Sequence, residues 1–162
     1  MTNIELIQEK IGEALGLEKA AQKAVDQLHS RGLLEPEHMK KLSKMKNDAS
    51  EQEQKMQSMV EELVQSDDGF DSSTIEEKAE ETADKASKIM ETYLGEAPDT
   101  QEALEFLCLA EGGEVTHYEV LTSIAKEVKN KKFGTTVRTI LKEEKGHLNM
   151  CTKMAKLNAA FE

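Results

Sequence analysis

Apolar residues recur at alternating three- and four-residue steps along nearly the whole chain, a rhythm that an α-helix buries and a strand cannot. The run over residues 3 to 29 carries Ile4, Ile7, Ile11, Ala14, Glu18, Ala21, Val25 and Leu28 on one face. Residues 36 to 65 repeat it with Leu42, Met45, Ala49, Met56, Met59 and Leu63, and Gln52 and Glu53 flank the middle of that seam. A third, thinner stripe of Ile75, Ala79, Ala83, Ala86, Met90 and Tyr93 runs from Ser73 or Thr74 to about Leu94. Leu104, Leu107, Glu111, Glu114, Tyr118, Leu121 and Ala125 mark a fourth helix over 100 to 129, broken by Lys129-Asn-Lys-Lys132. Phe133, Val137, Ile140, Glu144, His147, Cys151, Met154 and Asn158 mark a fifth over 133 to 160.

The punctuation agrees with this division. Gly32 suits a helix stop and Pro36 a first helical position, so the first two helices form an antiparallel pair across a short turn. Gln65 to Ser73 is a polar break with a turn signal at Asp68-Gly69, and Gly95 to Thr100 ends the third helix, with Asp99 or Thr100 capping the next. A third helix of ~21 residues spans ~31 Å at 1.5 Å per residue. It is long enough to return the chain along the outside of a bundle, so that the fourth helix runs parallel to the second.

With 162 residues the chain fits one domain, residues 1–162, and a charged fraction of 33%, an aromatic fraction of 4%, no Trp and only two Pro fit an all-α bundle. The net charge of −11 argues against nucleic-acid or anionic-membrane partners, which require basic surfaces, and favours cations. Cys108 and Cys151 fall within helical patterns and read as reduced, small apolar residues. With no secretory leader pattern and no apolar run of membrane-spanning length, the expected location is the cytoplasm.

The acids on the seams carry the functional signal. A carboxylate on a buried face is costly unless it is paired, hydrogen-bonded or bound to a metal. Glu18, Glu53, Glu111 with Glu114, and Glu144 each lie near the middle of their helix, hence at one level of an antiparallel bundle. Carboxylates crowded at one level repel unless cations or protons sit among them. Glu144-Lys-Gly-His147 and Glu114-Val-Thr-His117 place a carboxylate and an imidazole at i and i+3, where both can reach one ion. Oxygen donors with one or two imidazoles suit iron or manganese, with zinc a further option. The competing reading is that a seam Glu is an edge residue whose head reaches solvent. Glu111 competes with Glu114 for the inward position, His117 lies towards the edge of its stripe, and His29 and His38 sit near helix ends as solvated or capping residues. Gly112, Gly113 and Gly146 stand beside the acids, where a bend, a π-bulge or close packing would account for them.

Val115-Thr-His-Tyr-Glu-Val120 followed by Leu141-Lys-Glu-Glu-Lys145 resembles the last two helices of the ferritin-like superfamily, nearest its YciE/YciF-like stress-protein branch. The match covers roughly residues 100 to 160. The first half agrees mainly in Leu17-Glu18-Lys19 and in helix layout. The resemblance implies a ferritin-like four-helix bundle with a long crossover helix between the second and third bundle helices. It implies a di-iron or di-manganese centre, with one Glu from each of two helices and Glu-x-x-His from each of the other two. Carried over, the ligands are Glu18, Glu114, Glu144, His147 and, from the second helix, Glu53; Glu119 is the alternative register for Glu114. Met56 stands where the second His belongs, which leaves open one ion or two and an intact or degenerate site. The resemblance also implies a stress or oxidant-handling role, without fixing whether the protein is an enzyme. The alternatives are a metal-free helical interaction module and a storage or cage subunit, and a homodimer is the assembly left open.

Overall fold

The computed structural model describes residues 3–66 and 69–161. Among these the chain is all-helical, with no strand. Helix α1 spans Asn3–Ser30, α2 Pro36–Ser66, α3 Ser72–Leu94, α4 Thr100–Ile124 and α5 Lys131–Ala160. The expected turn at Asp68-Gly69 falls partly outside the described residues, since Asp68 is not among them.

Local chemistry sets the boundaries. Gly32 adopts φ 71°, and Gly32 N–H and Leu33 N–H donate to the carbonyls of His29 and Leu28, the paired bonds that close a helix on a left-handed residue. His38 is buried and its Nδ1 accepts from Glu35 N–H at 3.2 Å, capping α2, whereas His29 is exposed. Asp71, Asp99 and Asn130 cap α3, α4 and α5 through side-chain oxygens. The fourth helix ends earlier than its apolar rhythm suggests. It tightens into a 3-10 turn over Ala125–Glu127, and Asn130 starts α5 at Lys131. On α3 the stripe rotates at its end, leaving Tyr93 45% exposed and burying Leu94.

Helices α1, α2, α5 and α4 pack in a ring, each against the next. Contacting pairs give the directions. Lys46 meets Asp26 and Gln22 meets Glu53, so α2 runs antiparallel to α1. Asn130 of the α5 cap meets Glu62 while Cys151 meets Met45, which makes α5 antiparallel to α2. Gln101 meets Ala155 and Asn158 while Lys145 meets Glu119, so α4 is antiparallel to α5. The returning helix α3 lies outside the ring and parallel to α1, its principal neighbour.

Gly12 and Gly16 permit that approach. A Cβ on Gly12 would lie 2.6 Å from Lys78 Cβ, and one on Gly16 would lie 2.5 Å from the Ala79 carbonyl oxygen. Gly112, Gly113 and Gly146, beside the acids, show neither a π-bulge nor close packing. A Cβ on any of those three meets nothing within 4 Å, and α4 and α5 continue as α-helix through them.

The core divides into two apolar clusters. One gathers Ile7, Ile11, Leu15, Met56, Leu63, Tyr118, Phe133 and Ile140; the other gathers Val25, Leu28, Leu42, Met45, Leu104, Leu107, Cys151 and Met154. Between the two clusters α1, α2, α4 and α5 bury polar residues, Glu18, Gln52, Glu111, Glu114, Glu144 and His147, with Ala21 and Ala49 beside them.

Candidate functional site

The polar layer is a consequence of helix arithmetic. Residues near the middle of four ring helices reach the same height, and the stripes of α1, α4 and α5 place one or two acids there while that of α2 places Gln52. Glu18 and Glu144 are fully buried, and Glu111 and Glu114 are 1% and 2% exposed. Glu111 and Glu114 therefore both face inward. They are three residues apart, and the two positions share one helix face.

Two triads form. Glu111, Glu144 and His147 offer one ligand atom each within 4.8 Å of one another, and Glu18, Glu114 and Glu144 do the same. Glu144 belongs to both. His147 Nδ1 lies 3.4 Å from Glu144 Oε1 and 3.9 Å from Glu111 Oε2, and its other nitrogen, Nε2, lies 2.9 Å from Asp48 Oδ2. Both oxygens of Glu18, Glu114 and Glu144, one of Glu111, and His147 Nδ1 are buried without a hydrogen-bond partner. The Tyr118 hydroxyl and both amide atoms of Gln52 share that condition.

The electrostatics follow from burial and crowding. Burial, then the charge of Glu144, pushes the Glu18 carboxyl well above the usual carboxylate range. Burial and Glu114 do the same to Glu111, and burial and Glu18 to Glu114. Burial also opposes ionisation of Glu144, but the neighbouring Glu111 carboxyl and the His147 imidazole outweigh it and hold Glu144 below the usual range. Burial disfavours the charged imidazole of His147, and Glu144 and Asp48 overcome that and raise it. The Tyr118 phenol is pushed well up by burial and the nearby acids, so it stays protonated. Without an ion the layer thus favours the charged forms of Glu144 and His147 and the neutral forms of Glu18, Glu111 and Glu114.

Glu53 stands apart from both triads. It is half-buried, and its carboxylate accepts from Gln22 at 2.8 Å and Gln57 at 3.2 Å. Met56 is buried in the apolar cluster with Ile7, Ile11 and Tyr118, one turn along α2 from Gln52. Glu119 is exposed and paired with Lys145 at 3.0 Å, so the alternative register for α4 is not the one the fold adopts. His117 lies outside the triads. Its Nδ1–H donates to the Gly113 carbonyl at 2.8 Å, and Nε2 lies 3.2 Å from Glu13.

Sequence reading passed over Asp48. The signal was present, since Met45, Asp48, Gln52, Met56 and Met59 form one three-and-four row, but Ala49 beside it fits the apolar seam and masks it. No family model matches this chain, and no curated protein or solved structure matches it. Among the described residues, no helix is long and apolar enough to cross a membrane.

Proposed function

We propose that the polar layer binds one or two hard divalent cations, iron or manganese before zinc, in a bundle of the ferritin-like kind. The observation that carries this reading is the convergence of buried, unpartnered carboxylate oxygens from α1, α4 and α5 on one side chain, Glu144. Unpartnered buried carboxylates are costly, and a cation removes the cost at once. The donor set fits. Carboxylates with one imidazole suit iron and manganese, and thiolates are absent from both triads. Glu111, Glu144 and His147 would hold one ion, and Glu18, Glu114 and Glu144 the other, with Glu144 shared.

Such a centre supplies redox chemistry or storage of the bound ion. The chain's own contribution is to seal the layer between two apolar clusters and to fix its donors. Asp48 accepts from His147 Nε2–H, which leaves Nδ1 as the ligand atom and orients the ring. Helix α2 therefore supports the site through Asp48, and Met56 takes no part in it. A stress or oxidant-handling role rests on the family resemblance alone.

One observation favours a metal-free layer instead. Burial and mutual charge favour the neutral carboxyl at Glu18, Glu111 and Glu114, which lowers the charge of the layer without an ion. Metal analysis of the purified protein, followed by titration with Fe(II), Mn(II) and Zn(II) under anaerobic conditions, separates the two. Metal reading: stoichiometric uptake that Glu144→Ala abolishes. A chain that takes up none of the three ions and melts identically with and without chelator is the metal-free module.

A further inference from the structure

A groove outside the ring lies where α3 and α4 diverge over α1. It has a volume of about 310 Å³. Leu17, Ala20 and Ala24 line it from α1, Ala86 and Met90 from α3, and Phe106 and Ala110 from α4. Its inner end includes Gly113 and Glu114, the second of these a member of the buried acid layer. The lining is almost wholly apolar.

Two further observations set this groove apart from an ordinary gap between helices. Gly113 sits within α4, where Gly costs roughly 1 kcal/mol against Ala. No turn or close helix contact requires it, for its φ is not positive and a Cβ there would meet nothing within 4 Å. What the missing side chain leaves is open space beside Glu114. Glu114 is itself 2% exposed, and its carboxylate oxygens lie buried with Glu18 and Glu144, without a hydrogen-bond partner.

We propose that this groove binds a small, neutral, apolar molecule, with one end of the molecule next to Glu114. Size supports the assignment. A dry apolar cavity of roughly 150 Å³ takes benzene, so this one fits a fused-ring aromatic or a hydrocarbon chain of comparable bulk. An anionic ligand is disfavoured by the acid layer behind the inner end and by the net charge of −11. A partner helix, about 10 Å across, is too broad for a groove of this volume. A second copy needs ~800 Å² per partner for a stable interface, far more than this lining offers, and brings a like net charge. Ile89 and Leu109, 56% and 52% exposed, stand at the mouth and extend the apolar path to solvent. The inference needs no metal in the layer.

The test uses 1-aminoanthracene, a neutral fluorescent probe, titrated into the metal-free protein and again after metal addition. Saturable binding of one probe per chain, with enhanced emission and displacement by naphthalene or decanol, is expected in both forms. Gly113→Leu fills the groove from α4 and Ala86→Leu fills it from α3, remote from the acids. Each should weaken probe binding roughly tenfold or more, with helical content and melting temperature retained. Probe binding unchanged in both folded variants overturns the proposal, as does the absence of saturable binding. Sedimentation showing a dimer that both variants dissociate also overturns it, and gives the face to a second copy. Metal titration of the same samples is read separately, so failure of the groove and failure of the metal centre are distinguishable.

Discussion

His147 on α5 and Asp48 on α2 meet at 2.9 Å between Nε2 and Oδ2, and this contact fixes which imidazole nitrogen faces the acids. An imidazole bound to a metal through one nitrogen is oriented and made more basic by a carboxylate on the other. Asp48→Asn keeps the shape but replaces a charged acceptor with an amide. Metal affinity should fall ~10- to 100-fold, the usual cost of losing such a partner. Calorimetric titration with Mn(II) measures it, and unaltered affinity would remove Asp48 from the site.

Glu144 stands in both triads and Glu18 in only one. Glu144→Ala should abolish uptake, His147→Ala should weaken the Glu111 side, and Glu18→Ala should leave a single ion. Bound metal stabilises the fold by ~2.7 kcal/mol when free metal exceeds its dissociation constant a hundredfold. Chelator should therefore lower the melting temperature of the native protein and leave that of Glu144→Ala unchanged. Elemental analysis and paired melts give both readings.

Stability of the metal-free protein should fall as pH rises from about 5 to about 8. Glu18, Glu111 and Glu114 titrate well above the ~4.3 of an unfolded glutamate, so across that interval the native state holds more protons than the unfolded one. His147, raised above its usual value, acts with the same sign, and its contribution is lost as pH passes its folded value. Glu144 and Asp48 are lowered and act oppositely, their contribution disappearing only below about pH 4. Metal affinity should move the other way and tighten with pH, because uptake displaces the protons. Urea melts at several pH values test this; stability that climbs with pH in chelator would contradict the proton inventory.

Helix α2 offers two contrasting substitutions. Gln52 is fully buried in the polar layer with neither amide atom partnered, whereas Met56 packs among apolar residues. Gln52→Glu should raise metal affinity and lower the stability of the metal-free form by adding another crowded acid. Met56→His should leave metal binding unchanged and cost about 1–3 kcal/mol as a buried polar group without a partner. Raised stoichiometry in Met56→His would instead place that position of α2 within the metal site.

The glycines separate in the same way. Gly16→Ala brings Cβ against the Ala79 carbonyl, so the clash should outweigh the gain in helix propensity and destabilise by ~1–3 kcal/mol. Gly146→Ala meets open space and should stabilise by up to ~1 kcal/mol. Thermal melts of the two variants check both signs.

The sequence by itself determined the helices and the inward face of each. Three-and-four spacing puts Glu18, Glu144 and His147 on inward stripes, because a helix has a fixed period, but it left Glu111 and Glu114 competing for one position until packing buried both. It also determined the stops at Gly32 and Gly95 and, through the length of the third helix, a returning helix outside the ring; the structure chose Asp99 over Thr100 as the cap of α4. The tertiary structure decided which acids meet. Glu53 lies one residue from Gln52, and that step of about 100° on the helix turns one towards Gln22 and the other into the core. Spacing on one helix holds no information about its rotation against the next. The pairing of His147 with Asp48, the sharing of Glu144 and the seating of α3 on Gly12 and Gly16 therefore appear only when the helices are packed together. The end of α4 was decided in the same way, where Asn130 caps α5 and the preceding residues tighten into a 3-10 turn although the apolar rhythm runs on.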